Sequence, residues 1–158
     1  MKIGMRANRP FIITAENQGQ PILNAQTILE ALYMAPDQRQ LGPVETFKPE
    51  DLAAPVTQPR QIFAVGMNYR DHSEEIHITL PKVPSIFTKF SSSLAPANVT
   101  VTAHGPKTDW ETELVVMIGR GGREIPVADA MNHVAGVMVG EDLSDRDVQF
   151  ENDNPQFS

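Results

Sequence analysis

The chain contains no cysteine, and this absence excludes several kinds of protein at once. Without thiols there is no disulfide scaffold, no thiolate metal site and no cysteine nucleophile. Aromatic residues make up only 6% of the chain, and its apolar runs are too short to cross a bilayer. The N-terminus also lacks the apolar segment of a signal peptide. We therefore expect a cytoplasmic protein that does not contact a membrane.

Basic residues are scarce and are not arranged in a stripe. The formal net charge is −7 and the isoelectric point is near 5.0. A nucleic-acid partner is therefore not expected, because nucleic-acid binding requires a concentrated positive surface. The negative charge does not exclude an acidic small-molecule substrate, because a bound metal ion can dominate the local field.

A length of 158 residues, with 13 prolines and 10 glycines, indicates a globular α+β protein that is rich in short strands. We divide it into a small N-terminal domain with a proline-rich linker, residues 1–58, and a second domain, residues 59–158. The proline-containing stretch Gly42–Arg60 is predicted to lie outside the core. Predicted strands are Ile62–Gly66, Ser85–Phe90, Val99–Val101 and Val134–Asp142.

Glu111 and Glu113 immediately precede the apolar run Leu114–Ile118, which is typical of a strand. Alternate strand residues share a face, so the two carboxylates are expected about 6–7 Å apart. Asp142 follows a second apolar run. Three such carboxylates suit Mg²⁺ or Mn²⁺. The alternatives are a solvated strand face for the glutamates and a strand-to-helix cap for the aspartate segment.

A second group of polar residues lies earlier in the chain. On a helical turn, His72 and Glu75 are separated by three residues and share a face, as in a general base oriented by a carboxylate. A surface ion pair is the alternative. Lys89 lies in an apolar strand, where it either extends to solvent or meets an anion.

These segments, in this order and spacing, resemble the fumarylacetoacetate hydrolase family. The resemblance covers about residues 61–150. The matching segments are Val65–His72 with Glu75, Pro84–Lys89, Trp110–Gly119 and Asp142–Gln149.

The resemblance implies the family's mixed β-sandwich roll with a small N-terminal domain. It implies that Glu111, Glu113 and Asp142 bind Mg²⁺ or Mn²⁺, with Ca²⁺ as a substitute in crystals, and that His72, Glu75 and Lys89 are catalytic. The implied reaction is hydrolysis of a C–C bond in a β-diketo or 2-oxo acid of the acylpyruvate or fumarylpyruvate type, by a homodimer. Oxaloacetate decarboxylation and dienedioate isomerisation are alternatives within the family.

Family members are longer than this chain, and their motif continues with a lysine-containing segment. The resemblance therefore implies either a fragment of a family member or a C-terminally truncated member, whose second domain is the N-terminal part of the catalytic domain. Two further readings stay open at this point: a truncated module without activity, and a structural Ca²⁺ site without chemistry.

Overall fold

The computed structural model describes residues 1–66, 68–75, 77 and 79–153. Met67, within the first family motif, lies outside the described residues. The strands are β1 (Lys2–Arg6), β2 (Arg9–Ala15), β3 (Gln18–Pro21), β4 (Glu45–Thr46), β5 (Leu52–Ala53), β6 (Ile62–Gly66), β7 (Ser85–Lys89), β8 (Thr108–Asp109), β9 (Thr112–Ile118), β10 (Val134–Glu141) and β11 (Ser144–Asp145). The helices are α1 (Ile28–Tyr33), α2 (Arg70–Glu75) and α3 (Arg146–Gln149), with 3₁₀ turns at Pro36–Gln38, Pro49–Asp51, Ser91–Ser93 and Val127–His133.

The chain divides into two compact units, Met1–Val99 and Thr100–Ser158. The first contains an antiparallel sheet in the order β4-β3-β2-β1-β5 and the separate β6–β7 pair. The second contains the antiparallel pairs β9–β10 and β8–β11. The predicted β-rich α+β fold is confirmed. No helix in the described part of the chain is long and apolar enough to cross a membrane.

A tight hairpin organises the first sheet. Strand β1 pairs with β2 from Lys2 opposite Ile13 to Arg6 opposite Arg9, which leaves a turn of two residues. Ala7 and Asn8 in this turn have φ angles of 47° and 59°. Positive φ at both positions matches the right-handed twist of a two-residue hairpin.

Helix α1 covers this sheet through its apolar side. Its first turn is fixed by a capping box: the Thr27 hydroxyl accepts from the Glu30 amide at 3.1 Å, and the Glu30 carboxylate accepts from the Thr27 amide at 3.2 Å. Such reciprocal bonds satisfy amides that have no partner within the helix. The buried core of this unit consists of Met5, Phe11, Ile22, Ala25, Ile28, Ala31, Phe47 and Ala54.

The prediction that Gly42–Arg60 lies outside the core is wrong. Two of its short segments, β4 and β5, form the outer strands of the five-stranded sheet. Phe47 and Ala54 are each only 8% exposed, and the Phe47 ring meets Phe11 edge to face at 5.5 Å between centroids. Pro43, Pro49 and Pro55 are compatible with this arrangement because they lie outside β4 and β5 and remove no donor from these strands.

The strand predicted at Val99–Val101 is also wrong. The described backbone has no strand there, and the two valines are 48% and 54% exposed. β-branched residues favour a strand only where a neighbouring strand pairs with them.

Gly19 is expected to tolerate no side chain. A Cβ at this position would lie 2.2 Å from Phe11 Cε1 and 2.4 Å from the Ile12 carbonyl oxygen, and the backbone contact cannot be relieved by a rotamer change. Gly19→Ala should therefore lower the free energy of unfolding by about 1–3 kcal/mol. Urea denaturation followed by circular dichroism measures the loss.

Gly4→Ala is the matched control, because its Cβ would meet only the ends of the Leu52 and Ile13 side chains, at ordinary contact distances of 3.5 and 3.9 Å. It should be neutral or stabilise the protein by up to about 1 kcal/mol. Equal effects of the two substitutions would contradict the steric explanation for Gly19.

Candidate functional site

The register of β9 and β10 places the three predicted acidic residues on one face of this strand pair. Gly140 lies opposite Glu113, and the Asp142 amide donates to the Glu111 carbonyl at 2.9 Å. Glu111 and Glu113 are two residues apart and share a face, and Asp142 is the cross-strand neighbour of Glu111. The predicted grouping is therefore present in the backbone.

The opposite face of the same pair is aliphatic. Five aliphatic side chains on this face are between 44% and 77% exposed: Leu114, Val116, Ile118, Val137 and Val139. Glu141 lies opposite Thr112 and accepts its hydroxyl at 2.5 Å, and alternation places Glu141 on this second face. Glu141 is thus a carboxylate adjacent in sequence to the acidic group but directed away from it.

Arg146 connects Glu111 to a fourth carboxylate. Its Nη2 atom donates to Glu111 Oε1, and Nε and Nη2 donate to Asp109 Oδ2 at 2.9 and 2.8 Å. Partial burial lowers the pKa of Arg146, but the hydrogen bonds that it donates to Glu111 and Asp109, together with the negative charges of these two residues, outweigh burial and raise the pKa overall. Arg146 is therefore a positive charge held between two carboxylates.

The start of α3 is fixed from both sides. Strand β11 pairs with β8, with Ser144 opposite Asp109. The Asp145 carboxylate accepts from the Asp147 and Val148 amides at 3.0 and 3.3 Å, so Asp145 forms the strand-to-helix cap that was considered for this segment. This geometry brings Arg146 to Asp109 and Glu111.

An exposed ion pair lies beside this cluster. Lys107 Nζ is 2.7 Å from Asp147 Oδ1, and both side chains are largely exposed. The hydrogen bond to Asp147 and its negative charge raise the pKa of Lys107. Lys107 therefore offers a nearby positive charge that does not touch the acidic face through any described contact.

The predicted His72–Glu75 pair is present on α2. The His72 Nδ1 and Glu75 Oε2 atoms are 3.8 Å apart, and the side chains are 54% and 79% exposed. This is ion-pair distance, longer than a hydrogen bond. Lys89 is the last residue of β7, lies opposite Ile62 and is half-buried. These three residues belong to the first compact unit, whereas the acidic face belongs to the second.

The acidic face suits a hard divalent ion, both in the chemistry of its ligands and in the position of these residues along the paired strands. Glu111, Glu113 and Asp142 supply only oxygen donors, which Mg²⁺ and Mn²⁺ prefer. Among the described residues, no three His, Cys, Asp or Glu side chains are close enough together to hold an ion. Glu111 instead contacts Arg146, so metal binding requires the carboxylates to converge by side-chain rotation.

Sequence reasoning missed the link between Arg146 and Glu111. The carboxylate partners of Arg146 lie 35 and 37 residues away in the chain. The available signal was the spacing of Asp109 and Glu111, which share a face if the backbone is extended.

Comparison with known proteins identifies the family to which the chain belongs. Residues 61–158 match the family described as fumarylacetoacetate (FAA) hydrolase C-terminal. This match covers well over half of the chain, so the chain belongs to the fumarylacetoacetate hydrolase family, as the sequence motifs predicted. Human "Oxaloacetate tautomerase FAHD2A, mitochondrial" is 44% identical over 106 residues, which are 66% of this chain and 34% of that protein.

Solved structures share the fold. An HpcE-like protein from Mycobacterium smegmatis matches with a TM-score of 0.80 and 35% identity, over 100% of this chain and 60% of that one. Fumarylacetoacetate hydrolase from Exiguobacterium antarcticum matches with a TM-score of 0.70 and 24% identity, over 94% and 57%. The chain spans about a third of the length of the curated relatives it matches.

Proposed function

We propose that this chain carries part of a metal-dependent enzyme that interconverts the keto and enol forms of a 2-oxo dicarboxylic acid such as oxaloacetate. The observation that carries the proposal is the strand register that places Glu111, Glu113 and Asp142 on one face. The similarity to an oxaloacetate tautomerase supports this choice of reaction.

The proposed metal ligands are Glu111, Glu113 and Asp142. When bound, Mg²⁺ or Mn²⁺ supplies Lewis-acid stabilisation of negative charge on the substrate oxygens. Deprotonation at carbon gives an enolate anion that would be unstable without a positive charge near its oxygen, so charge stabilisation is the main requirement of this reaction. The acidic side chains supply the binding site, and the basic side chains must move the proton.

His72 is the proposed acid–base residue. In tautomerisation one proton leaves carbon 3 of the substrate and one proton is added to the oxygen on carbon 2. An imidazole can perform both transfers near neutral pH. Glu75 lies one helical turn away with its Oε2 atom 3.8 Å from His72 Nδ1, where it can orient the imidazole. Lys89 would neutralise negative charge on the substrate.

Hydrolysis of a C–C bond in an acylpyruvate or fumarylpyruvate is the second candidate. The His72–Glu75 pair favours it, since a histidine next to a carboxylate can activate a water molecule for attack on a carbonyl. Decarboxylation of oxaloacetate and isomerisation of a dienedioate need the same charge stabilisation without the water. Homodimerisation and a cytoplasmic location remain predictions.

The first test is Mn²⁺ binding by the 158-residue chain together with its tautomerase activity. Glu113→Gln is expected to weaken Mn²⁺ binding at least about tenfold, because even an outer-shell partner of a metal contributes about 10–100-fold to affinity. Isothermal titration calorimetry measures the binding, and loss of the enol absorbance of oxaloacetate measures turnover, with Mn²⁺ and with EDTA.

Glu141→Gln is the matched control, because it removes the same charge from the other face of the strand pair. It should change the affinity for Mn²⁺ less than about threefold. Equal losses for the two variants would contradict the acidic face as the binding site. Mn²⁺ binding without tautomerisation, but with pyruvate release from acetylpyruvate, would favour the hydrolase instead.

A further inference from the structure

The aliphatic face of the β9–β10 pair forms one continuous apolar patch. Val116 lies directly opposite Val137, and Leu114 lies directly opposite Val139, so these side chains are neighbours across the two strands. These four side chains and Ile118 are all exposed. At roughly 100 Å² of apolar surface each, they form a patch of about 500 Å², a size at which apolar patches commonly serve as interaction surfaces.

The strand pair itself gains from a second layer on this face. Among the strands that the structure describes, β9 and β10 pair only with each other. A two-stranded antiparallel pair is marginally stable in water, and it becomes stable when packing covers an apolar face. A layer on the aliphatic face would therefore stabilise β9 and β10.

Charge distinguishes the aliphatic face from most of the surface. The chain has a formal net charge of −7, so two copies repel each other where charged surfaces meet. Among the residues that β9 and β10 place on this face, only Glu141 is charged. It is the last residue of β10, and its carboxylate accepts the Thr112 hydroxyl. Two copies can therefore approach each other here with little repulsion, and an aliphatic core is typical of homodimer interfaces.

We propose that the aliphatic face of β9–β10 is a homodimer interface, covered by the same face of a second copy of this chain. A two-fold axis brings one surface patch against its own equivalent on the partner. The two strand pairs would stack face to face about 10 Å apart, as the layers of a β-sandwich do. With about 500 Å² from each copy, the interface reaches about 1,000 Å², the area that a specific dimer needs. This inference is independent of the proposed function.

The test is the mass of the natural chain in sedimentation equilibrium, measured over a range of concentrations. We expect twice the 17.4 kDa of one chain at high concentration. Because the interface is of the smallest specific size, we expect a reversible dimer with a dissociation constant on the order of 10 μM.

Val137→Lys places a charge at the centre of the patch. A dimer of this variant would bury two ammonium groups without a partner for either, so we expect the variant to be monomeric at every concentration. Val44→Lys is the matched control. It adds the same charge at a valine of the first compact unit that is 60% exposed, compared with 63% for Val137. We expect the control to dimerise as the natural chain does.

A double variant without added charge keeps the test decisive if lysine disturbs the strands. Val116→Thr/Val137→Thr retains two β-branched side chains and with them the preference for a strand. It replaces a methyl group by a hydroxyl at four places in the dimer. We therefore expect the dissociation constant to rise at least about tenfold, with the circular dichroism spectrum of the natural chain retained.

The salt dependence of the dimer tests the absence of ion pairs from the interface. Salt screens the repulsion between two negatively charged copies, and an aliphatic interface has no ion pair that salt could weaken. Raising NaCl from about 0.05 to 0.5 M should therefore lower the dissociation constant.

Several results would overturn the proposal. A natural chain that stays monomeric would leave the face to a different polypeptide, such as one equivalent to the part of the HpcE-like protein outside the 60% that this chain spans. Dimers of Val137→Lys or of the threonine double variant as tight as those of the natural chain would place the interface elsewhere. A dimer that dissociates as salt is added would have an interface of ion pairs instead.

Discussion

His72→Asn is expected to lower the rate of oxaloacetate tautomerisation by at least about 100-fold. A positioned general acid–base group contributes about 10²–10⁴-fold, and asparagine cannot exchange a proton near neutral pH. The Mn²⁺ affinity should stay the same, since His72 is not among the proposed ligands. Steady-state loss of the enol absorbance, with calorimetric titration of Mn²⁺ on the same preparation, measures both quantities.

Two further variants make this result specific. His77→Asn removes another histidine from the same region, and its φ of 56° is one that asparagine adopts readily. It should retain full activity. Glu75→Gln removes only the carboxylate that pairs with the imidazole, so its loss should be smaller than that of His72→Asn. Equal activity of His72→Asn and the natural chain would exclude His72 as the acid–base residue.

Variants of His72 can also test which of the candidate reactions requires a base. Water attack on an acylpyruvate requires a base, whereas decarboxylation of oxaloacetate requires only stabilisation of the enolate. A variant that loses pyruvate release from acetylpyruvate but still decarboxylates oxaloacetate would therefore identify hydrolysis as the step that uses His72.

Strands that show a continuous apolar run could be predicted from the sequence. Ile62–Gly66 forms β6 as predicted, and the run that begins at Val134 forms β10 up to Glu141. Such segments can be recognised from the local sequence alone, because β-branched side chains suit a pleated surface. The placement of Glu111 and Glu113 on one face follows from the same alternation.

Features that depend on pairing between distant residues could be predicted only in part. That Asp142 neighbours Glu111 requires the register of β9 and β10, which includes a bulge between Val134 and Gly136. A shift of one residue would have moved Asp142 to the aliphatic face. Asp142 was grouped with the glutamates because it also lies beside an apolar run, and the family resemblance implied the same ligand set. Alternation within one strand could not show that Asp142 neighbours Glu111.

Two contacts show why the remaining features could not be predicted from the sequence. Phe47 lies in a stretch dominated by proline and polar residues. It is buried because the adjacent strand β4 pairs at the edge of the sheet. Arg146 meets Glu111 because β8 and β11 pair. In both cases the partner lies more than 30 residues away in the chain, and local patterns carry no information about it.

Phe11→Ala is expected to lower the free energy of unfolding by about 3–5 kcal/mol, the usual cost of removing a fully buried phenylalanine. Phe11 is 1% exposed and lies against the Phe47 ring. The Arg6 guanidinium carbon also lies 5.3 Å from the Phe11 ring centroid. Truncation would leave a cavity between these groups that the paired strands cannot close. Urea denaturation followed by far-ultraviolet circular dichroism measures the loss.

Tyr33→Ala is the control within the same compact unit. Tyr33 is 64% exposed at the end of α1, so its removal should change stability by less than about 0.5 kcal/mol. Because the acidic face lies in the other compact unit, Mn²⁺ affinity below the unfolding transition is expected to be the same in Phe11→Ala and the natural chain. A Phe11 variant as stable as the control would mean that this sheet is not held by its aromatic pair, and that Ile22 and α1 carry the core.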